Sequence, residues 1–169
     1  MTIKFEVQMT KKAMTDFMLH TTYTSLGGIA TVIFGGVCLV LGIRQIMGGE
    51  YSSGAMFLLF AGLFLVGNPL QTRARAAQQV ISTPMFRKPI GYEMTEEGIR
   101  ITQDEASVLN EWTEFRKAVS TGQCLILYIT KVRALVIPKE SLGEQFPAAV
   151  QMISTHMPAK SVNIRHVSA

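Results

Sequence analysis

RQIMGGEY, residues 44–51, separates two stretches that contain no charged residue. Residues 21–43 run for 23 positions without Asp, Glu, Lys, Arg or His, and residues 51–72 run for another 22. A bilayer's hydrocarbon core is about 30 Å thick, and a helix rising about 1.5 Å per residue crosses it in roughly 20 residues. Both stretches reach that length. Their apolar character is all-round, without the polar stripe of a surface helix. Two fully buried helices in a soluble protein of 169 residues would leave too little chain to wrap them. The reading is therefore a transmembrane hairpin spanning residues 21–72, with helices over about 22–47 and 51–72. Residues 44–51 form its tip. Gly48 and Gly49 supply permissive backbone where the first helix stops. Arg44 and Glu50 can reach headgroup water, and Tyr51 suits the interface.

So short a tip forces the two helices to run antiparallel and in contact. Inside a bilayer that contact is made by small residues that let backbones approach. Gly28, Gly35 and Gly42 recur seven apart on the first helix. Gly54, Ala61 and Gly62 on the second are expected to receive them. With no ionisable side chain in either stretch, no proton relay or ion pathway is expected through the hairpin alone.

Charge sets the orientation. Hydrophobic residues make up 48% of the chain and charged ones 17%, and most of the missing charge is missing from the hairpin. Residues 1–89 carry eight basic and three acidic side chains, while residues 90–169 carry eight and nine. The basic excess therefore flanks the apolar stretches, which argues against a nucleic-acid partner. Lys4, Lys11 and Lys12 precede the first stretch, and Arg73, Arg75, Arg87 and Lys88 follow the second. By the positive-inside bias both termini face the cytoplasm. Cleavage as a secretory signal is not expected, because the apolar run starts late and lacks an A-x-A-like site. Cys38 and Cys124 have no metal-ligand spacing and read as small buried hydrophobes.

Residues 73–91 read as a juxtamembrane connector, helical at first and then broken by Pro84 and Pro89. From Tyr92 the pattern shifts to period two with turn signals. YEMT and IRIT flank Glu96-Glu97-Gly98, then come ASVLNEWTEF and RKAVS, and CLILYIT and ALVIP flank Lys131-Val132-Arg133. A helix follows from Glu140, with Phe146, Val150, Ile153 and Met157 at helical spacing, ended by Pro158. The tail SVNIRHV is either a short strand or disordered. At the other end, Ile3, Phe5 and Val7 alternate with Lys4, Glu6 and Gln8 as a strand does. A lone strand is not stable in water, so residues 1–20, a strand and a short helix, are expected to join the domain formed by residues 92–169.

Tyr92-x-x-Thr95-x-x-Gly98, Ser107-x-x-x-x-Trp112 and Val136-Ile137-Pro138-Lys139 resemble segments of the YcxB-like bacterial membrane proteins. The resemblance covers nearly the whole chain. It implies a pleckstrin-homology-like (PH-like) cytoplasmic domain: a curved antiparallel β-sheet closed by a C-terminal helix, borne on two membrane helices. The fold class is thus α+β. The resemblance brings no reaction and no catalytic residue.

The residues themselves offer few sites. Trp112 is a candidate for interaction, although core packing under the C-terminal helix suits it as well. Glu111 and Glu114 read as solvated strand charges, and Glu96-Glu97 and Asp104-Glu105 as acidic turns too poor in ligands for a metal. His20 reads as interfacial, His156 as a favourable late-helix cation, and His166 as part of the tail. No nucleophile elbow or phosphate loop is present. Lys11, Lys12, Arg73, Arg75, Arg87 and Lys88 are the candidates for lipid headgroups, at about 1 kcal/mol each near an acidic leaflet. No cofactor or metal is expected. The expected role is a non-enzymatic, multi-pass protein of the bacterial cytoplasmic membrane. Its cytoplasmic domain would bind a protein partner or a second copy, as an accessory or regulatory subunit. The alternative is a transporter-associated or bacteriocin-immunity protein.

Overall fold

The structure, a computed structural model, describes residues 2–130 and 133–164, with the side chain of Arg87 left out. Lys131, Val132 and residues 165–169 of the tail, His166 among them, lie outside the described residues. The chain divides into two units: Met1–Phe17 with Gln79–Ala169, and Met18–Gln78.

The first unit is α+β. Strand β1 (Ile3–Val7) pairs antiparallel with β2 (Ile90–Met94), which continues to β3 (Gly98–Gln103) and β4 (Ala106–Glu111) in a four-stranded meander. The register Ile3↔Met94, Phe5↔Tyr92, Val7↔Ile90 sets the apolar positions of β1 on one face, where Ile3 and Val7 are buried. A second sheet has the order β7-β6-β5-β8, from β5 (Lys117–Ser120), β6 (Cys124–Tyr128), β7 (Ala134–Pro138) and β8 (Val162–Asn163). β5 to β7 form an antiparallel meander, and β8 adds parallel to β5. Two strands buried on nearly every residue, CLILY and ALVIP, supply Leu125, Leu127 and Ile137 to the core with Met94, Ile99 and Ile153.

Three boundaries differ from expectation. β2 starts at Ile90, so the connector ends earlier than residue 91. The segment ASVLNEWTEF is not one strand, because a 3-10 turn over Trp112–Glu114 swings the indole inward. The closing helix is two pieces, α5 (Lys139–Leu142) and α6 (Phe146–His156), separated at Gly143, whose φ of +47° lies in the left-handed region that glycine tolerates. The short helix expected ahead of the first span is distinct from it, with the break later than residue 20. Helix α1 (Lys11–Thr24) gives way at Ser25 to α2 (Leu26–Met47). The Ser25 hydroxyl accepts from the Gly28 N–H (3.1 Å) and donates to the Thr22 carbonyl (2.7 Å), an N-cap that starts α2 afresh.

In the second unit α2 turns back at Gly48 and Gly49. The Gly48 N–H bonds the Arg44 carbonyl at 3.0 Å, and Gly49 takes φ +88°, which a Cβ would strain. The return helix runs through α3 (Tyr51–Gly62), a π-helical segment (Leu63–Gly67) and α4 (Asn68–Ser82). The wide turn has a cause in Pro69. Proline lacks an N–H and its ring collides with the carbonyl four residues back, here Leu65, and a π-turn relieves that crowding. Among the described residues, two helices are long and apolar enough to cross a membrane, Leu26–Met47 with 22 residues and Tyr51–Ser82 with 32.

Candidate functional site

The glycines of the hairpin divide into those in contact and those facing away. A β-carbon on Gly54 would lie 2.5 Å from Ile46 Cγ1 and 3.0 Å from the Gly42 carbonyl oxygen. One on Gly42 would lie 2.8 Å from Leu58 and 3.2 Å from the Gly54 carbonyl oxygen, and one on Gly35 would lie 2.8 Å from Leu65. Ala61 is buried as well. Gly35, Gly42, Gly54 and Ala61 therefore make the seam. Gly28 and Gly62 do not. Gly28 meets the Thr22 carbonyl at the α1–α2 break, and Gly62 faces open space. Beside the π-helical segment a cavity of about 480 Å³ is lined by Thr31, Leu63, Phe64, Asn68 and Gln71, which mixes apolar and amide chemistry.

In the first unit the densest polar arrangement ties α1 to the β5–β6 turn. The Asp16 carboxylate accepts from the Thr121 hydroxyl and from the Gln123 N–H (2.9 Å). The Thr121 hydroxyl accepts in turn from the Cys124 N–H (3.1 Å), and the Cys124 thiol donates to the Ala13 carbonyl (3.4 Å). Burial, with a contribution from the Asp16 carboxylate, pushes the Cys124 thiol up to about 12. It is a thiol at neutral pH, without the thiolate that nucleophilic or metal chemistry needs. Asp16→Ala would leave the Gln123 N–H and the Thr121 hydroxyl without their acceptor. We expect a loss of roughly 1–3 kcal/mol in the stability of this unit, measured by thermal unfolding in detergent. Asp16→Asn, which keeps one acceptor oxygen, should lose less. Equal melts for Asp16→Ala and the parent would show the clasp to be idle.

Trp112, a candidate for interaction on sequence, is 6% exposed and belongs to the core. Its Nε1 donates to the Thr95 carbonyl (2.9 Å), and its ring stacks on His156 with centroids 5.2 Å apart and planes 9° apart. The His156 Nε2 lies 3.0 Å from a Glu96 carboxylate oxygen. These contacts lock the end of α6 to the β2–β3 turn. Position alone suggested a late-helix cation at His156; the indole and carboxylate partners were not visible in the sequence. A cavity of about 170 Å³ lies beside this pair, between Glu96, Gln151, Met152 and Thr155. A shallow groove of about 420 Å³ lies over Gly91, rimmed by Lys4, Glu6, Glu93 and Thr102, with Lys4 and Glu93 paired at 3.0 Å.

Two of the basic candidates lie near carboxylates of the first unit. Lys88 pairs with Asp104 at 2.8 Å, and Lys12 lies 4.0 Å from Glu140. Lys11 is exposed on α1, and Arg73 and Arg75 are exposed on α4, two positions apart and so about 200° around the helix. The Arg87 side chain lies outside what the structure describes. Among the described residues no group of three or more His, Cys, Asp or Glu side chains could hold a metal ion.

Comparison with known proteins gives one finding. Residues 95–153 match the family model described as YcxB-like protein. The matched span runs from Thr95, which accepts the indole N–H, to Ile153 in α6, and so contains Trp112, Thr95 and Glu96 but stops short of His156. No curated protein and no solved structure matches the chain.

Proposed function

We propose that the hairpin of α2 and α3–α4 crosses the bacterial cytoplasmic membrane and carries the first unit, as a PH-like module, on the cytoplasmic side. That module docks another protein, and the chain serves as an accessory or regulatory subunit without catalysis of its own. The observation that carries the membrane reading is exposure. Leu26 is 89% exposed, Leu59 75% and Val40 66%, on helices that bear no charge along their apolar stretches. Contiguous apolar surface on that scale requires lipid or protein to cover it. The cations at the ends of the hairpin favour the orientation with both termini inside, and Lys11, Arg73 and Arg75 suit anionic headgroups. A meander of four strands, a meander of three and a C-terminal helix are the parts a PH-like module needs, and the YcxB-like match falls on this unit. Interaction at such a module is carried by its sheet edges and grooves.

The test has two steps. Membranes washed with alkaline carbonate should retain the full chain, and mild detergent should release it together with a stoichiometric protein partner. Release by carbonate alone would end the membrane reading. Consistent elution as a lone monomer, with no partner trapped by crosslinking, would end the docking reading.

A further inference from the structure

The two sheets of the first unit end in four edge strands, and three of them carry protection. β1 presents Lys4 and Glu6, β7 is buried on nearly every residue, and β8 is two residues long. Charged side chains, coverage and shortness are the devices that keep edges from pairing. β4 has the least protection, a single charge at its end. Its sequence ASVLNE has no charge before Glu111 and no proline, and its residues are exposed except Asn110. Val108 is 52% exposed and Leu109 37%. Among the described residues β4 pairs with β3 alone.

The register fixes which groups this edge offers. The Trp112 N–H bonds the Glu97 carbonyl, and bonded pairs alternate along an antiparallel ladder. Asn110, Val108 and Ala106 therefore turn their backbone groups to β3. Ser107, Leu109 and Glu111 turn theirs outward. A strand added antiparallel to this edge bonds at those three residues.

We propose that β4 pairs with β4 of a second copy of this chain, about a two-fold axis at Leu109. In that register Leu109 faces Leu109, Ser107 faces Glu111, and Val108 faces Asn110. No like charges stand opposite one another within the strand. A two-fold centred on Val108 would set Glu111 against Glu105, which is unfavourable. Centred on Leu109 the edge is self-complementary, and a shared patch of that kind is what a two-fold dimer requires. The proposal rests on the first unit being an interaction module and names its partner as a second copy.

Disulfide crosslinking of the full-length chain in native membranes tests it. Bonded antiparallel residues have Cα atoms about 5.5 Å apart, within disulfide reach. Leu109→Cys should therefore give a covalent dimer on mild oxidation. Ser107→Cys should not, because its two copies lie four residues out of register, on the order of 13 Å apart. As a second variant, Leu109→Lys puts two cations face to face and should shift the detergent-solubilised protein from dimer to monomer in light scattering. Equal crosslinking at positions 107 and 109, or a parent that is monomeric at micromolar concentration, would overturn the proposal. A monomeric parent that still binds a different protein would overturn it while leaving the docking reading in place.

Discussion

Gly98→Ala is expected to cost about 3 kcal/mol, the upper end of the usual range for over-packed sites. A β-carbon there would lie 2.2 Å from the Asn110 carbonyl oxygen, 2.8 Å from the Glu111 Cα and 2.9 Å from the Asn110 carbonyl carbon. All three are backbone atoms of β4, so no rotamer change relieves the contact. The strand must move, and with it the Ile99↔Asn110 and Gly98↔Glu111 pairs and the turn that receives the Trp112 N–H. Trp112 is the sole tryptophan, so its fluorescence reports the transition directly. Gly91→Ala is the control. Its β-carbon would approach the Thr102 carbonyl oxygen no closer than 3.4 Å, and its melt should lie near that of the parent. Similar midpoints for the two variants would refute the reading of Gly98 as a close-approach residue.

This glycine marks the limit of what the sequence discloses. Glu96-Glu97-Gly98 between two alternating runs is legible as a hairpin turn. That the glycine is demanded by a strand a dozen residues later is not, because the pressure comes from pairing rather than from local dihedral preference. The same division recurs elsewhere. The alternation Ile3, Phe5, Val7 discloses a strand and its buried face, since period two needs no knowledge of the neighbour. Asp16 looks like one solvated charge on a helix, because its acceptor role depends on Thr121, 105 residues away. The tail Ser161-Val162-Asn163 is too short for a periodicity to be read, yet β5 recruits two of its residues. In the hairpin, spacing by seven suggested one glycine stripe. The Ser25 cap restarts the helix just before Gly28, which places Gly28 against α1's last carbonyls. Ala61 and Gly62 are successive residues about 100° apart on the helix, so only one of them can face α2.

Gly54→Leu is expected to open the hairpin near its tip. The Gly42 and Gly54 carbonyl oxygens each lie close to where the other residue's side chain would begin, at 3.0 and 3.2 Å respectively, and the Ile46 backbone nitrogen is 3.1 Å from a Gly54 β-carbon. In the lipid surroundings proposed for the hairpin, apolar side chains would gain little from leaving lipid for one another, so helix contact would depend on dispersion between closely spaced backbones. A leucine removes that approach instead of adding contact area. We expect a loss of roughly 2–3 kcal/mol in helix–helix association, read as a lower midpoint in SDS titration of the detergent-solubilised protein. Gly35→Leu should be milder, because its nearest neighbours are the Leu65 and Phe64 side chains, which can rotate. Gly62→Leu and Gly36→Leu face open space and should leave the midpoint unchanged. That graded order separates a packing seam from glycine used for its flexibility alone. A flexibility effect would follow the number of glycines replaced, whereas a seam follows which backbone atoms each new side chain would meet.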